Sequence, residues 1–322
     1  MGMSSSPGVT AEREAWGEKF ESVRRWLTYI ASDKTGSEST KDLYLLALER
    51  WCTFISKTPD EIIEDRDSGL QKTEFAQKHR HEDLLRQAFN AMEASGYARA
   101  SCGAFFAAIR SFYKANYSPF EAKRPTVWTT RLFKVPNQKE LELIWEQADP
   151  RMKLWILFQK DSGISCGDLI DLTLDTQSTA YGSIRDQLKS GQVPIHANIM
   201  RSKVEAVGHY DTYFGEEAFN ILQEAQPKDR LFDISLRYVK DLLPKAAKKA
   251  GIKGPPVTTH CLRKYFNTFA KIGIRNYGAT ELLVEYWMGH SIGRTKGAYL
   301  APPVEEQAKL YLTAYPMLRC LG

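Results

Sequence analysis

Apolar residues along the first 120 or so positions recur at three- and four-residue intervals, the spacing that gathers side chains on one face of an α-helix. Trp16, Phe20, Val23, Leu27 and Ile30 form one such stripe and predict a helix ending near Gly36. A second begins at "STKD", with Ser39 as its cap and Asp42 in its first turn, and takes its apolar side from Leu43, Leu46, Trp51, Phe54 and Ile55. After the charged connector "EDRDSGLQKTEFAQKHRH", a third runs from about Glu82 to Ala94 and stops at Gly96. In "SCGAFFAAIRSFYKANY", Phe105, Ala108, Ile109 and Phe112 make the last stripe. The pattern predicts a small helical bundle at residues 13–120, behind a disordered tail at 1–12.

The stretch "SPFEAKRPTVWTTRLFKVPNQ" carries three prolines and mixed charge, which places a linker at 121–136. Helical periodicity resumes in "KELELIWEQA" and "MKLWILFQKDSG". The period then changes. Val193, Ile195, Ala197 and Ile199 alternate along "VPIHANIMRSK" as a strand does, Gly208 allows a reversal, and "HYDTYF" can pair back to close a hairpin. Further helices are predicted to start near Glu216, Ser235, Thr258 and Thr280, with an amphipathic helix at the C-terminus. The expectation is a mainly α protein of two domains, the second (137–322) of α+β type with a small β-hairpin and a tail helix.

Composition excludes several classes. The chain has 322 residues, 43% of them hydrophobic and 26% charged, and no apolar run approaches the ~18 residues of a membrane span. The N-terminus lacks the basic and apolar blocks of a secretory signal, which predicts a cytoplasmic protein without membrane attachment. Five scattered cysteines never form C-x-x-C, against both a disulfide framework and a zinc site. The net charge of +5 is compatible with a polyanionic partner without establishing one. Distribution says more. Arg237, Lys240, Lys245, Lys248, Lys249 and Lys253 face a single acid, Asp241, over a short stretch; they make either a solvated helix face or a DNA-binding one. In the linker, Lys123, Arg124, Arg131 and Lys134 suit a basic strap across a duplex, or simply an exposed connection.

Four features follow in fixed order: "SGISCGDLIDL", a strand end with Arg201 and Lys203, "TTHCLRKYF", and "MGHSIGRTKGAY". Each alone is commonplace; an H-x-x-R pair on a helix is by default a structural contact. Together, over residues 137–310, their order and spacing resemble the catalytic domain of tyrosine recombinases, the phage- and plasmid-integrase family. His260 and Arg263 match its H-x-x-R, Gly289-His290 its next motif, and Tyr299 stands nine residues past His290. The N-terminal half is similar to the family's core-binding, DNA-clamping domain in size, helicity and last helix. The combination of "SGIS…DL" with "R-x-K" resembles integrases of archaeal type most nearly.

That resemblance implies site-specific cutting and rejoining of double-stranded DNA, by a homo-tetramer on two synapsed sites and without metal or cofactor. A prokaryotic or viral origin and a nucleoid-associated location go with it. Arg263 is then a phosphate clamp, His260 contacts the phosphate or assists proton transfer, and His290 donates a further hydrogen bond. Lys203 protonates the leaving 5′ oxygen, and Tyr299 attacks phosphorus to leave a 3′-phosphotyrosyl link. Tyr311 and Tyr315 do not keep the spacing from His290. In the family, the tail, here with Leu310, Leu312, Tyr315 and Leu318, packs on a neighbouring subunit; packing on its own domain is the equal alternative.

One letter departs from the pattern. Ser165 occupies the place of the family's first arginine, while Gly163 and Asp168 around it fit. A serine offers one neutral donor in place of a charged fork, and losing a preorganised donor costs on the order of 3 kcal/mol. Arg201, two residues before Lys203 on the same strand face, can compensate. Alternatively the arginine has been removed, by evolution or by design, and the chain is a catalytically impaired DNA-binding accessory protein. A type IB topoisomerase shares the chemistry, but the helical N-terminal half speaks against it.

Overall fold

The computed structural model describes residues 7–32, 38–118, 120–126, 132–201, 208–278, 280–290 and 302–322. Two compact units, Met1–Arg131 and Leu132–Gly322, meet at a boundary inside the stretch expected to be a linker. The first is helical throughout. Helix α1 (Pro7–Gly17) occupies part of the expected tail, and α2 (Glu21–Ser32) follows after a turn, so the single stripe from Trp16 to Ile30 is divided. Gly17 sits against Val23 so tightly that a Cβ there would lie 2.9 Å from Val23 Cγ1. Helix α3 (Glu38–Ile55) begins ahead of Ser39, which is therefore not its cap. It buries Leu45, Ala47, Leu48 and Trp51, while Leu43 and Leu46 are half-buried and Phe54 is exposed.

The charged connector is also helical. Helices α4 (Pro59–Leu70) and α5 (Phe75–Lys78) occupy it, α4 opening on a capping box of Thr58 and Glu61 with Pro59 at its first position. Its inner face buries Ile62 together with an ion pair: Arg66 bonds Glu82, 2.5 Å apart, on α6 (Arg80–Ala94). Helix α7 (Arg99–Ala115) buries Phe105, Ala108, Ile109 and Phe112 as predicted.

The second unit is built around α9 (Pro150–Ser162), which is buried on nearly every side from Leu154 to Phe158 and accordingly shows no polar face. Around it lie α8 (Gln138–Glu146), the short α10 (Cys166–Ile170) and α11 (Ile184–Ser190), and a two-residue ladder of β1 (Gln177–Ser178) with β2 (Gly182–Ser183). The hairpin pairs β3 (Ile195–Met200) with β4 (His209–Phe214), antiparallel from Ile195 opposite Phe214 to Met200 opposite His209. Helices α12 (Glu216–Ala225), α13 (Leu236–Lys249), α14 (Thr259–Gly273) and α15 (Thr280–Trp287) begin where the sequence placed them, and Ser235 caps α13. Among the described residues, no helix is long and apolar enough to cross a membrane.

Helix α16 (Val304–Leu318) closes the unit. Of the two fates open to the tail, the structure has it docked on its own domain, against α14, with Ala308, Tyr311, Ala314, Tyr315 and Leu318 buried and Leu312 exposed. The approach is close: a Cβ on Gly273 would lie 2.6 Å from Ala314 Cα, and one on Gly215 1.8 Å from the Tyr315 ring. A buried ionic cluster fastens the end. Lys160 Nζ contacts Asp161 (2.5 Å), Glu217 (2.6 Å) and the Leu318 carbonyl (3.1 Å), and the Glu217 carboxylate accepts from the backbone N–H of Cys320 and Leu321. Tyr311 donates to the Asp161 carbonyl and the Tyr315 hydroxyl accepts from the Glu217 N–H, so both serve as struts of the core.

Candidate active site

Three elements far apart in sequence converge on Arg263. Near the N-terminus of α14, His260 and Arg263 stand at i and i+3 and so share a face. Arg263 does not spend its guanidinium on His260. It donates to the carbonyls of Gly163, after α9, and Met288, after α15 (3.1 Å), and to His290 Nε2. Among the described residues no carboxylate bonds it directly. Burial, with the Arg201 charge nearby, pulls its pKa below the ordinary arginine value, although Tyr210 and Asp168 oppose this.

Arg201 arrives from the hairpin. Its backbone N–H closes the loop on Gly208 O at 3.3 Å, and its guanidinium donates to the Gly289 carbonyl, one residue before His290. Gly289 is required here on two counts. Its φ is +69°, a region that favours glycine, and a Cβ would lie 2.7 Å from the Tyr210 ring. Tyr210 in turn donates to Asp168 Oδ2 at 3.0 Å. Gly163 is similar, with φ +61° and a Cβ that would meet Phe266 at 2.5 Å, which exposes its carbonyl to Arg263.

Ser165 has a definite job. It is the N-cap of α10, its Oγ accepting from the Asp168 N–H at 3.2 Å. His260 is exposed at the rim, with its ring against Phe133 (5.2 Å between centroids); burial and the charges of Lys264 and Arg263 lower its pKa. His290 bonds Glu285 through Nδ1. Lys203 and Tyr299, the expected general acid and nucleophile, lie outside the described residues, as does Arg131.

The structure thus brings together Arg201, Arg263 and His290, with Ser165 capping the helix that holds Asp168. Among the basic residues expected to meet DNA, Arg237, Lys240, Lys245, Lys248 and Lys249 are exposed along α13, and Lys123 and Arg124 are exposed in the first unit. Lys134 is already engaged, with Glu140 at 2.5 Å and the Lys253 carbonyl at 3.2 Å. Asp168, Tyr210, Glu285, Lys271 and Asn267 were not singled out as site residues from sequence. Glu285, five residues before His290 near the end of α15, offered the one local signal.

No family model matches the sequence, and no curated protein does. Solved structures do. A lambda integrase dimer bound to a COC′ core site matches with TM-score 0.59 at 13% identity, over 88% of this chain and 95% of that one. XerH site-specific recombinase bound to palindromic difH substrate, a post-cleavage complex, matches with TM-score 0.52 at 14% identity, over 84% and 78%. A lambda integrase tetramer bound to a Holliday junction gives 0.52 at 14% identity, over 86% and 76%. The chain has the fold of the tyrosine recombinases.

Proposed function

We propose that the chain is a site-specific DNA recombinase that cuts and rejoins strands through Tyr299, with Arg201 taking the place of the family's first arginine. The observation that carries this reading is the group of Arg201, Arg263 and His290, delivered by a hairpin and two helices and linked through the Gly289–His290 segment. Two guanidiniums without a bonded carboxylate among the described residues form a site poised for an anion. A scissile phosphodiester meets that demand, because charge builds on its non-bridging oxygens as a nucleophile attacks. His260 stands at the rim to contact the same phosphate.

The tyrosine oxygen forms its bond to phosphorus and the P–O5′ bond breaks; Lys203 gives the 5′ oxygen a proton, and a 3′-phosphotyrosyl link remains. The link preserves the energy of the broken ester, so reversal rejoins the strands. The exposed basic face of α13 and the first unit, as a DNA-clamping domain at 13–120, hold the duplex, and four copies synapse two sites. The tail, docked on its own domain, leaves subunit contacts to other surfaces. A second reading, a DNA-binding accessory protein of impaired activity, rests on Ser165 being a serine.

The test is covalent trapping on nicked duplexes drawn from DNA flanking the protein's own gene. An adduct abolished by Tyr299→Phe and reduced about 10²- to 10³-fold by Arg201→Ala supports a recombinase with a relocated clamp. Salt-sensitive duplex binding without any adduct supports the accessory reading instead.

A further inference from the structure

His290 begins a hydrogen-bonded chain that leads away from the two arginines. Its Nδ1 is bonded to the Glu285 carboxylate, whose other oxygen accepts from Lys271 Nζ (2.9 Å) and Asn267 Nδ2 (2.8 Å). Its Nε2 meets the Arg263 guanidinium, a group that can only donate. These partners fix the tautomer: the proton is on Nδ1 and the lone pair on Nε2, toward Arg263. Burial alone would push the Glu285 carboxyl up, but hydrogen bonds from His290, Lys271 and Asn267 hold it ionised, at about 2. Among the described residues, the charged groups around His290 are Glu285 on its own segment, Arg263 and Lys271 on α14, and Arg201 from the hairpin.

We propose that Glu285 is a positioning residue that makes His290 the proton acceptor of strand cleavage, and that the imidazolium so formed supplies the positive charge missing at Ser165. This rests on the recombinase reading. As the attacking hydroxyl oxygen bonds to phosphorus, its proton passes to His290 Nε2. The P–O5′ bond breaks with its electron pair on the 5′ oxygen, which is protonated by the general acid. His290, now cationic and backed by ionised Glu285, donates its Nε2–H to a non-bridging oxygen. Nδ1 already holds a proton for Glu285, so the proton taken up at Nε2 makes the ring cationic as the phosphoryl group gains its own charge. On rejoining, the proton returns to the tyrosine.

Glu285→Gln separates this role from simple support. Lys271 and Asn267 both donate and so claim the amide oxygen; the amide NH2 is left facing Nδ1 while Arg263 still faces Nε2, so the Nδ1–H tautomer loses the acceptor that fixed it. Two measurements on the full chain follow. Nitrogen-15 spectra of labelled histidine, with His290 assigned by His290→Gln, are expected to report the Nδ1–H tautomer alone in the wild type and a mixture of the two tautomers in Glu285→Gln. The rate of Tyr299-dependent adduct formation is expected to fall about 10²- to 10⁴-fold, the scale seen when the orienting carboxylate of a nucleophile–histidine–carboxylate site becomes an amide. Duplex affinity stays unchanged. A Tyr299-dependent adduct formed at the wild-type rate by Glu285→Gln, or an unchanged tautomer, overturns the proposal and leaves the recombinase reading standing. Absence of a Tyr299-dependent adduct in the wild type overturns that reading and this inference with it.

Discussion

Lys160→Met tests how the second unit is held together and needs no knowledge of the DNA target. Lys160 is fully buried, and so is Asp161; Glu217 is nearly so. One ammonium stands between two carboxylates and also meets the Leu318 carbonyl at the end of α16. Replacing it with methionine keeps the volume and leaves two buried carboxylates facing each other, a change that costs about 3–5 kcal/mol. In a unit of this size each kcal/mol moves Tm by about 2–4 °C, so the expected fall is roughly 6–20 °C.

The pH dependence gives the sharper signature. Burial, with help from Glu217 and against the pull of Lys160, already raises the Asp161 pKa to about 6 in the folded protein, above its ordinary value. A carboxyl raised on folding binds a proton that the unfolded chain gives up, so its contribution to stability falls as pH rises from about 4 through its folded pKa. Without Lys160 the Asp161 carboxyl rises further, and that loss extends to higher pH. Thermal melts at pH 5 and pH 8 are expected to give a larger wild-type-to-variant gap at pH 8. A drop in Tm below about 3 °C, or a gap that does not change with pH, refutes the claim that this cluster fastens the tail.

Other substitutions probe the site. Gly289→Ala places a Cβ 2.7 Å from the Tyr210 ring at a φ of +69°, so about 2–4 kcal/mol of stability is expected to be lost, together with at least a tenfold fall in adduct rate as the carbonyl holding Arg201 shifts; thermal melts and trapping measure both. Ser165→Arg removes the α10 cap at a cost of about 1 kcal/mol and crowds a third guanidinium beside Arg201 and Arg263, so a Tm lower by about 2–4 °C and no gain in adduct rate are expected. A gain of about 10²- to 10³-fold in that variant would mean instead that the wild type lacks its clamp.

Much of this is legible in the amino-acid sequence, and the exceptions share a cause. Where burial is apolar, as in α7 and the hairpin, the periodicity of Phe105 to Phe112 and of Ile195 to Ile199 located the element. Where burial is ionic it could not: Arg66 and Glu82 made α4 look like a solvated connector, although Thr58, Pro59 and Glu61 carried the signature of a helix start. The charges of Lys160 and Asp161 likewise gave no hint of a position at the centre of a core. The motif residues His260, Arg263 and His290 were legible through the order and spacing by which the chain resembles the tyrosine recombinases, not through any one motif alone. Asp168 and Tyr210 act through contacts that form only when distant segments meet, and a single sequence has no pattern for those; Glu285 lies only five residues before His290 but belongs to no motif there.

Those contacts bear on the odd letter at 165. Ser165 caps α10 and so sets the backbone of Asp168; the Asp168 carboxylate receives the Tyr210 hydroxyl; the Tyr210 ring forms the wall that admits only glycine at 289; and the Gly289 carbonyl receives Arg201. The position that lacks a guanidinium is therefore joined, contact by contact, to the segment that anchors the one on the hairpin. An arginine at 165 would remove the first link and add a like charge beside the last. That consistency favours a clamp moved to Arg201 over a clamp removed.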